Sequence, residues 1–397
     1  LVYYPKLSGA WVVSEEPFWN LGFVDQLRLR AAYGESGQQP ETFAALRTFR
    51  PVTGPDDVGT VTPNAVGNPD LGPERGSEVE LGFDAGFLNE RLGLEFTYYN
   101  QRTRDAILLR DIAPSTGFSG SQFVNAGRIR NTGVELLARL QAITTPRVGW
   151  DLTFSVATNE NEILDLGVEG LNFVSAGSGN QHRVGHPVGS WFEKRVVDAQ
   201  FNAAGTLVAG SEICDNNDGG TVSCASAPFV FLGRPTPKTE GAFTSTLTLF
   251  NSLRLYTMVD FKQGFYKLDG NDRVRCNIFR RCRENFFPLE FVDQPARLAT
   301  IQRGTAYISG LVHDASYSKL REVSATYTIP ERWAGAFGAS RASINLAGRN
   351  LYTWTKYPGL EPEASFLGGS RGGGSAQWEQ NVVPQLRQFV ATVNFGF

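Results

Sequence analysis

This chain of 397 residues has little of what marks a metalloenzyme, a helical membrane protein or a disordered segment. It contains four cysteines, three histidines and one methionine, and its charges nearly balance, with 37 Lys+Arg against 40 Asp+Glu. Charged residues make up 19% and aromatic residues 12%, whereas disordered chains have few aromatics and many charges. No stretch approaches about 18 consecutive apolar residues, so no transmembrane helix is predicted. The balanced charge gives no basic footprint for nucleic acid.

The N-terminal segment lacks a basic region followed by an apolar stretch. The sequence opens with Leu1, Val2 and Tyr3, and Met258 is its single methionine. No signal peptide is therefore predicted within this sequence. We expect residue 1 to be a processed or truncated end of a longer protein.

Apolar and polar residues alternate along most of the chain, which is the pattern of a β-strand with two different faces. Val79 and Leu81, for example, alternate with Glu78 and Glu80. Each alternating run is about ten residues long, which exceeds the usual soluble strand and matches a tilted strand that crosses a bilayer. The alternative is a large soluble β-sandwich, but its strands would be shorter and its solvent faces less rich in Gly, Ser and Thr.

The links between these runs alternate strictly between short and long. Short links lie at 88–90, around Pro146, at 251–252 and after Pro330. Long links are expected at roughly 35–76, 103–130, 160–239, 264–314 and 351–386. Tight turns on one side and long loops on the other are typical of an outer-membrane barrel. The sequence therefore predicts an all-β fold, an antiparallel transmembrane β-barrel with long extracellular loops, in which Glu78, Glu80 and Asp84 face the lumen.

The strand count indicates that the barrel is partial. About eleven spanning strands can be counted, from 6–13 to 387–397, and the last alternates up to the terminal Phe397, which resembles the assembly signal of outer-membrane proteins. Bacterial single-chain barrels have even strand numbers and must close. An odd count thus predicts about half of a barrel. Segments near 188–200 and 226–238 are expected to pair as a hairpin above the membrane.

Several motifs, in order along the chain, resemble the C-terminal half of the SusC/RagA-like TonB-dependent receptors. The most specific is Asn350 to Glu363, which reads NLYTWTKYPGLEPE and is close to the family's NLFTWTKYxGxDPE. Further matches lie at residues 27–34, 68–74, 98–105, 131–136 and 316–323.

The resemblance implies that residues 1–397 are the C-terminal part of a 22-stranded barrel whose N-terminal plug lies outside this chain. It implies a bacterial outer membrane location, in contact with lipid or lipopolysaccharide, and import of large nutrients such as oligosaccharides or peptides. A SusD-like surface lipoprotein would act as the lid, and TonB would contact a region absent from this chain. The alternatives are a structural or self-assembling outer-membrane fragment with open strand edges, and a soluble carbohydrate-binding β protein.

No arrangement of residues predicts catalysis or a bound cofactor. No Ser-His-Asp set lies on a recognisable nucleophile elbow. His182 and His186 are four residues apart, but they lie in a Gly-rich segment without an intervening Glu, so we interpret them as loop residues rather than metal ligands. The chain is therefore not expected to be an enzyme.

The four cysteines predict two local disulfides in an oxidising compartment, because their number is even and their spacings are close. The expected pairs are Cys214–Cys224 and Cys276–Cys282, with cross-pairing between the two loops left open. Zinc bound by four thiolates is the alternative, although the spacings are not those of C-x₂-C pairs.

Two loops contain candidate binding residues. Asp215, Asn217 and Asp218 are weak calcium candidates, for which a plain polar turn is the alternative. Arg280 and Arg281 predict a site for an anionic substrate or for lipopolysaccharide phosphates, unless they belong to a solvated loop.

The last long loop contains aromatic candidates, namely Tyr352, Trp354, Tyr357 and Trp378. They could stack on sugar rings or belong to the interfacial aromatic girdle. For Trp354, which lies in the family-like motif, a structural role in anchoring the loop is favoured.

Overall fold

The computed structural model describes residues 3–118, 121–125, 127–167, 171–176, 179–365 and 378–397. The largest unit is a twelve-stranded antiparallel sheet, called here the wall sheet. Eleven of its strands form one continuous path in which each strand pairs with its neighbours in chain order. No helix in the described segments is long and apolar enough to span a membrane.

The path strands are numbered β1 to β11 in chain order. They are Lys6–Val12, Val24–Gln38, Glu74–Phe87, Leu92–Arg104, Arg128–Thr144, Val148–Thr158, Thr239–Leu249, Leu253–Gln263, Tyr317–Ile329, Arg341–Thr355 and Gln388–Gly396. The twelfth strand, Glu160–Asp165, follows β6 and pairs with the first residues of β5. The eleven path strands confirm the count made from the sequence.

The two ends of the path leave the wall sheet open. In the part of the chain that the structure describes, β1 pairs only with β2, and β11 pairs only with β10. The first and last strands are not bonded to each other, as expected for a partial barrel.

The two faces of the wall sheet differ in polarity, because successive side chains of a strand point to opposite sides. On one face Leu29 lies opposite Phe83, which in turn lies opposite Phe96. On the other face Arg28 lies opposite Asp84. Exposed apolar side chains on the first face, called the outer face, include Leu7, Trp11, Leu81, Phe154, Phe243, Leu346, Phe389 and Val393.

This extended apolar surface is far larger than a soluble monomer normally exposes, which indicates contact with lipid. Glu78, Glu80 and Asp84 lie on the opposite face, called the polar face. They pair with Gly34, Ala32 and Arg28, which are spaced by even numbers of residues along β2 and therefore share one face. The predicted orientation of the strands is therefore confirmed.

The connections confirm the alternation of short and long links. On one side of the sheet, the turn side, strands are joined by 88–91, 145–147 and 250–252, and by the longer segments 13–23 and 330–340. Leu88 and Asn89 have φ of 58° and 56°, the left-handed conformation that reverses a chain within a few residues. The opposite side, the loop side, carries 39–73, 105–127, 159–238, 264–316 and 356–387.

Short elements fill the loop side. Its strands are Thr48–Thr53, Gly59–Ala65, Ile107–Asp111, Ser121–Asn125, Phe173–Ser175, Asn180–Arg183, Ser190–Glu193, Val196–Asp198, Ile213–Asp215, Thr221–Ser223, Val230–Gly233, Tyr266–Asp269, Val312–Asp314 and Trp378–Glu379. Its helical segments are Pro55–Asp57, Pro114–Thr116, Gly270–Asp272, the π-helical Arg273–Ile278, Arg283–Phe286, Pro288–Phe291, Pro295–Arg303, Gly304–Ala306 and Ser309–Leu311. The turn side contains Val13–Glu15, Glu331–Ala334 and Gly335–Phe337.

The predicted pairing of the segments near 188–200 and 226–238 is confirmed, because Ser190–Glu193 pairs with Val230–Gly233 in a separate four-stranded sheet, although three strands of another sheet lie between them along the chain. Behind this sheet, Trp191, Leu268 and Leu311 form a fully buried apolar cluster. The loop side therefore has a hydrophobic core of its own, which holds the long connections in defined positions.

Candidate functional site

Ion pairs cross the polar face near its turn side. Asp84 on β3 accepts hydrogen bonds from both Arg28 and Arg30 of β2, and its Oδ1 lies 2.9 Å from Nη2 of Arg30. On the next strands, Arg139 pairs with Glu95. These pairs are partly exposed, so their contribution to stability is small. Their consequence is a charged, hydrated surface on the inner side of the wall.

From Arg30 and Glu95 toward the loop side, the polar face becomes mainly acidic. A depression in this region is lined by Arg30, Glu95, Thr97, Glu135 and Glu240, together with further residues of β5, β6 and β7. The polar face is thus continuous from the turn side to the base of the loops.

A buried ion-pair cluster lies where the polar face meets the loops. This mouth cluster consists of Asp260 on β8, Lys319 and Arg321 on β9, and Glu361 and Glu363 in the segment after β10. Nζ of Lys319 lies 2.6 Å from Oε1 of Glu361 and 2.9 Å from Oε2 of Glu363. The Lys319 side chain is only 3% exposed, so water screens these pairs weakly.

Arg321 joins the strands to the same loop. Its Nε and Nη2 each donate to one oxygen of Asp260 at 2.8 Å, a bidentate arrangement, and Nη2 also lies 2.8 Å from Glu363. Nearby, Nζ of Lys267 donates to the backbone oxygen of Ala364 at 2.5 Å. Burial lowers the pKa of Lys267 to about 8. Together these contacts fasten residues 361–364 to the rim of the wall.

Sequence reasoning did not single out the mouth cluster. Glu361 and Glu363 lie at the end of the family-like motif at Asn350 to Glu363, and Lys319 lies within the match at residues 316–323, but neither stretch alone predicts an ion-pair cluster. One sequence feature points to this cluster. Two basic residues, Lys319 and Arg321, lie two positions apart on a strand, and two acidic residues with the same spacing, Glu361 and Glu363, lie in the next long loop.

Tyr352 and Trp354 lie on the outer face. They pair with Leu320 and Ser318, whereas the intervening Thr353 pairs with Lys319 of the mouth cluster. Their rings are 4.9 Å apart between centroids, and both side chains are about half exposed. An aromatic pair on the lipid-facing side at the loop end favours the interfacial girdle over sugar stacking.

The other two aromatic candidates belong to the loop-side core. Tyr357 is buried beside Phe265 and Tyr317, and burial raises the pKa of its hydroxyl. Trp378 packs against the Trp191 cluster, and the guanidinium of Arg273 lies 5.2 Å from its ring centroid. Both placements favour a structural role for these rings.

Arg280 and Arg281 lie on the exposed surface of the 264–316 loop. Arg280 has φ of 52°, and the Arg281 backbone N–H donates to the oxygen of Arg275 at 2.7 Å. Among the described residues neither guanidinium forms an ion pair, so both remain candidates for binding an anionic group. The structure does not bring these arginines and the four aromatic residues into one site.

The first cysteine pair is bonded as predicted. Cys214 and Cys224 form a disulfide with their Cα atoms 4.9 Å apart, and it closes the hairpin between Ile213–Asp215 and Thr221–Ser223. Both sulfurs are buried in a cluster that includes Ala299.

The turn of this hairpin contains the calcium candidates. Oδ1 of Asp215 accepts from the backbone N–H of Asn217 at 2.7 Å, and Oδ1 of Asp218 accepts from that of Gly220 at 3.1 Å. Asp215 also pairs with Arg195. Because these oxygens already have hydrogen-bond donors, the geometry favours the polar turn, and calcium binding stays a prediction.

The second predicted disulfide, Cys276–Cys282, is wrong in this structure, because both cysteines are free and buried. Cys276 lies in the π-helical segment, and its Sγ donates to Oδ1 of Asp272 at 3.2 Å. Cys282 precedes the next helix, and its Sγ donates to Oδ1 of Asn285 at 2.8 Å. Burial raises the pKa of both thiols, which disfavours the thiolate that oxidation requires. Zinc bound by four thiolates is also wrong, since two of the sulfurs are bonded to each other.

The histidines have local structural roles. Nδ1 of His182 accepts from the backbone N–H of Gly189 at 3.1 Å, and burial lowers the pKa of this ring. The ring of His186 packs against Phe192 and Phe231. These contacts agree with the interpretation of both histidines as loop residues.

Comparison with known proteins identifies the family. Residues 4–351 match the family described as TonB dependent receptor-like, beta-barrel. This chain belongs to the TonB-dependent receptor family. Receptors of this family are outer-membrane barrels, so the outer face of the wall sheet contacts lipid and the loop side is extracellular.

Two curated TonB-dependent receptors illustrate the relationship. The chain is 30% identical over its full length to TonB-dependent receptor P26 of Formosa agariphila, of which it covers 42%. It is 24% identical over 91% of its length to TonB-dependent receptor SusC of Bacteroides thetaiotaomicron, of which it covers 37%. The chain therefore spans less than half the length of the curated relatives it matches.

A solved structure has the same fold. The structure described as the RagAB peptide transporter aligns with 99% of this chain and 43% of that chain, with a TM-score of 0.79 and 21% identity. This likeness supports the fold of the eleven-strand path as a partial barrel.

Proposed function

We propose that this chain forms the loop-bearing part of the wall of an outer-membrane nutrient importer of the SusC/RagA type. The observation that carries the proposal is the polar face, which runs from the turn side to the mouth cluster while the opposite face is apolar. A polar inner surface suits a hydrated pathway for solutes, and an apolar outer surface suits lipid. The mouth cluster fastens a long loop at the entrance to this pathway, where a nutrient would be captured.

Peptides are the substrate class that we favour. The polar face presents both charge signs, with Arg28 and Arg30 beside Asp84 and with Glu135 nearer the loops. Such a surface can pair with peptide termini and charged side chains. Two of the aromatic candidates for sugar stacking, Tyr352 and Trp354, lie on the outer face. A solved structure with the same fold is described as a peptide transporter, which supports this class. Oligosaccharides are the second candidate.

The proposed partners act on opposite sides of the membrane. A SusD-like surface lipoprotein would cover the extracellular loops, where Ile278, Phe279, Phe286 and Phe287 are exposed apolar side chains. TonB would act through a plug and a contact segment in a part of the protein outside this chain, since the chain covers 42% of its relative P26. Arg280 and Arg281 would bind either anionic substrate groups or lipopolysaccharide phosphates. The proposal includes no catalytic step and no cofactor.

A structural role in the outer membrane is the alternative function. The observation that favours it is the pair of open edges, since β1 and β11 each have one neighbour in the described chain. Unpaired strand edges can join other copies or other chains. Under this alternative, the chain would form edge-paired assemblies and would transport nothing.

An uptake assay with matched variants tests both functions. Cells producing the whole receptor with its lipoprotein partner would be given labelled oligopeptides and labelled malto-oligosaccharides. We expect the double variant Arg28→Ala, Arg30→Ala on the polar face to lower peptide uptake at least tenfold. Leu29→Ala, on the same strand but on the outer face, should leave uptake nearly unchanged at equal surface level.

The other outcomes are equally informative. Uptake of oligosaccharides alone would retain the importer and overturn the peptide class. Absence of uptake of either solute, with edge-paired oligomers detected by crosslinking cysteines placed in β1 and β11, would support the structural alternative and overturn the importer.

A further inference from the structure

The second cysteine pair lies in a cluster with a carboxylate. One ligand atom each from Cys276, Cys282 and Glu284 lies within 4.8 Å of the others. All three residues are buried, with exposed fractions of 0%, 3% and 8%. A buried carboxylate is normally paired with a cation or coordinates a metal, and here it lies beside two buried thiols.

Backbone geometry brings the three residues together. The π-helical segment Arg273–Ile278 carries Cys276, and Cys282 caps the helix Arg283–Phe286, which carries Glu284. Between them the chain reverses at Arg280, whose φ is 52°. The helix Pro295–Arg303 covers the cluster, with Ile301 packed against both cysteines.

Neighbouring groups hold the carboxylate in place. Nε and Nη2 of Arg297 donate to the same oxygen of Glu284, Oε1, at 3.1 and 2.9 Å. The same carboxylate also has a side-chain hydrogen bond with Cys282. Arg297 also pairs with Asp272, which accepts a hydrogen bond from Nη2 of Arg275 at 2.8 Å. Residues that orient a ligand in this way are characteristic of metal sites.

The charges around the cluster are balanced before any ion binds. Asp272 and Glu284 contribute two negative charges, and Arg275 and Arg297 contribute two positive charges. When two thiol protons are replaced by one divalent cation, the total charge does not change. A divalent ion can therefore enter this buried site without leaving an uncompensated charge.

We propose that Cys276, Cys282 and Glu284 bind one zinc ion. Two thiolates and a carboxylate are a ligand set that zinc accepts, with Zn–S of about 2.3 Å and Zn–O of about 2.0–2.2 Å. Two such ligands on a tetrahedral ion lie about 3.6–3.8 Å apart, which side-chain adjustment from the present spacing can reach. Water would take the fourth position. Binding releases two protons, Zn²⁺ + 2 Cys–SH → Zn(S–Cys)₂ + 2 H⁺, and water accepts them.

The bonded cysteine pair supports the assignment by contrast. Cys214 lies on one strand of a hairpin, Cys224 directly follows the other strand, and the two form a disulfide. Cys276 and Cys282 lie on helical segments and have no such bond, but they have Glu284 beside them. A zinc ion would crosslink two segments of the 264–316 loop, as the disulfide crosslinks two segments of the 159–238 loop.

The whole receptor, purified without chelators or reductants, provides the first test. Elemental analysis should find one zinc per chain, lost on treatment with a strong chelator and regained on adding zinc. Iodoacetamide should label Cys276 and Cys282 only after chelation. Cobalt added in place of zinc should produce a thiolate-to-metal absorption band. These measurements use the unaltered protein, so they do not depend on a variant that folds.

Variants then identify the ligands. We expect Cys276→Ser and Glu284→Gln each to weaken zinc binding at least tenfold. Glu290→Gln is the matched control, because Glu290 lies in the same loop and pairs with Arg283 at 2.7 Å outside the cluster. Two results would overturn the proposal, namely a Cys276–Cys282 disulfide in the untreated receptor, or two free thiols that are labelled without chelation and bind no zinc.

Discussion

The wall sheet and the loop side use apolar residues in opposite ways. In the wall, side chains such as Leu81 and Phe389 point away from the sheet and stay exposed in the chain. On the loop side, Trp191, Leu268 and Leu298 are fully buried. A strand in the membrane has lipid as its apolar neighbour, whereas a segment above the membrane must bury its apolar groups against its own chain. The loops are therefore small folded units and not simple connectors.

The ion pairs of the two regions also differ in their exposure to solvent. Lys262 and Glu240 on the wall are 3.1 Å apart, with side chains 40% and 52% exposed. Lys319 and Glu361 in the mouth cluster are 2.6 Å apart, with side chains 3% and 7% exposed. Water screens the first pair and hardly reaches the second. The same substitution should therefore have different effects in the two regions.

Removing the buried ammonium group of Lys319 should have the largest effect on stability. Lys319→Met leaves Glu361 buried without its partner, and breaking a buried pair in this way costs about 3–5 kcal/mol. We expect the segment around Glu361 and Glu363 to detach from the wall, measured as faster hydrogen exchange of its backbone amides. The strands of the wall should keep their protection.

Lys262→Met is the matched control for this change. It removes the same side chain from an exposed pair, for which we expect about 0–1 kcal/mol. Equal effects of the two variants would contradict the distinction between the buried mouth cluster and the exposed wall pairs.

A charge placed on the outer face tests the lipid contact. Phe83→Arg, near the middle of β3, should cost about 2–4 kcal/mol, because lipid cannot solvate the guanidinium. The loss can be measured by reversible unfolding of the whole receptor in lipid vesicles.

Ser155→Arg serves as the comparison for Phe83→Arg. Ser155 pairs with Ala242 on the polar face, so its substituted side chain would project into water. If the two arginine variants were equally stable, the assignment of the outer face to lipid would be wrong.

Loss of the disulfide should have the next largest effect, and it should be confined to one loop. Cys214 and Cys224 are separated by ten residues, for which the loop-closure relation gives about 2.7 kcal/mol. We expect the double variant Cys214→Ser, Cys224→Ser to increase proteolysis between residues 196 and 227 while the wall remains resistant. Increased cleavage at the wall turns, such as 145–147, would show instead that the loop and the wall unfold together.

The wall could be predicted from the sequence because its structure follows from local patterns. Alternation at period two, as at Val79 and Glu80, determines which face each residue occupies once the strands pair. The lengths of the links then determine which side carries the loops. Eleven strands, the orientation of Asp84 and the open edges all followed from these rules.

The sites could not be predicted because they depend on contacts between distant segments. Lys319 meets Glu361 only because β9 and β10 are neighbours and the chain then folds back over the rim. Simple alternation from Val323 would place Lys319 on the outer face, but it lies on the polar face opposite Asp260, because the register of β9 and β10 shifts between Leu320 and Glu322. Spacing alone also suggested a bond between Cys276 and Cys282, although helical segments hold them in a different arrangement.

The smallest effect concerns pH and the loop-side core. Burial raises the pKa of Asp269 from 3.8 to about 6, and burial lowers the pKa of His313 from 6.5 to about 4, with a further lowering by Arg297. Between pH 4 and 6 the folded state therefore holds an extra proton on Asp269, and the unfolded state holds an extra proton on His313. The proton on Asp269 makes the free energy of unfolding fall as pH rises, and the proton on His313 makes it increase as pH rises.

Because the two slopes are opposite, we expect the contributions of Asp269 and His313 to nearly cancel between pH 4 and 6. Asp269→Asn removes one of them, so the slope of stability against pH should become more positive than that of the unaltered protein, by up to about 1.4 kcal/mol per unit. His313→Gln removes the other, so the slope should become more negative by a similar amount. Hydrogen exchange of the strand Tyr266–Asp269, corrected for intrinsic rates, measures both changes. The pKa of the neighbouring Lys267, about 8, lies outside this window. If both variants changed the slope in the same direction, the opposition between these two buried groups would be wrong, whereas the wall, which contains neither residue, should show no change between the variants.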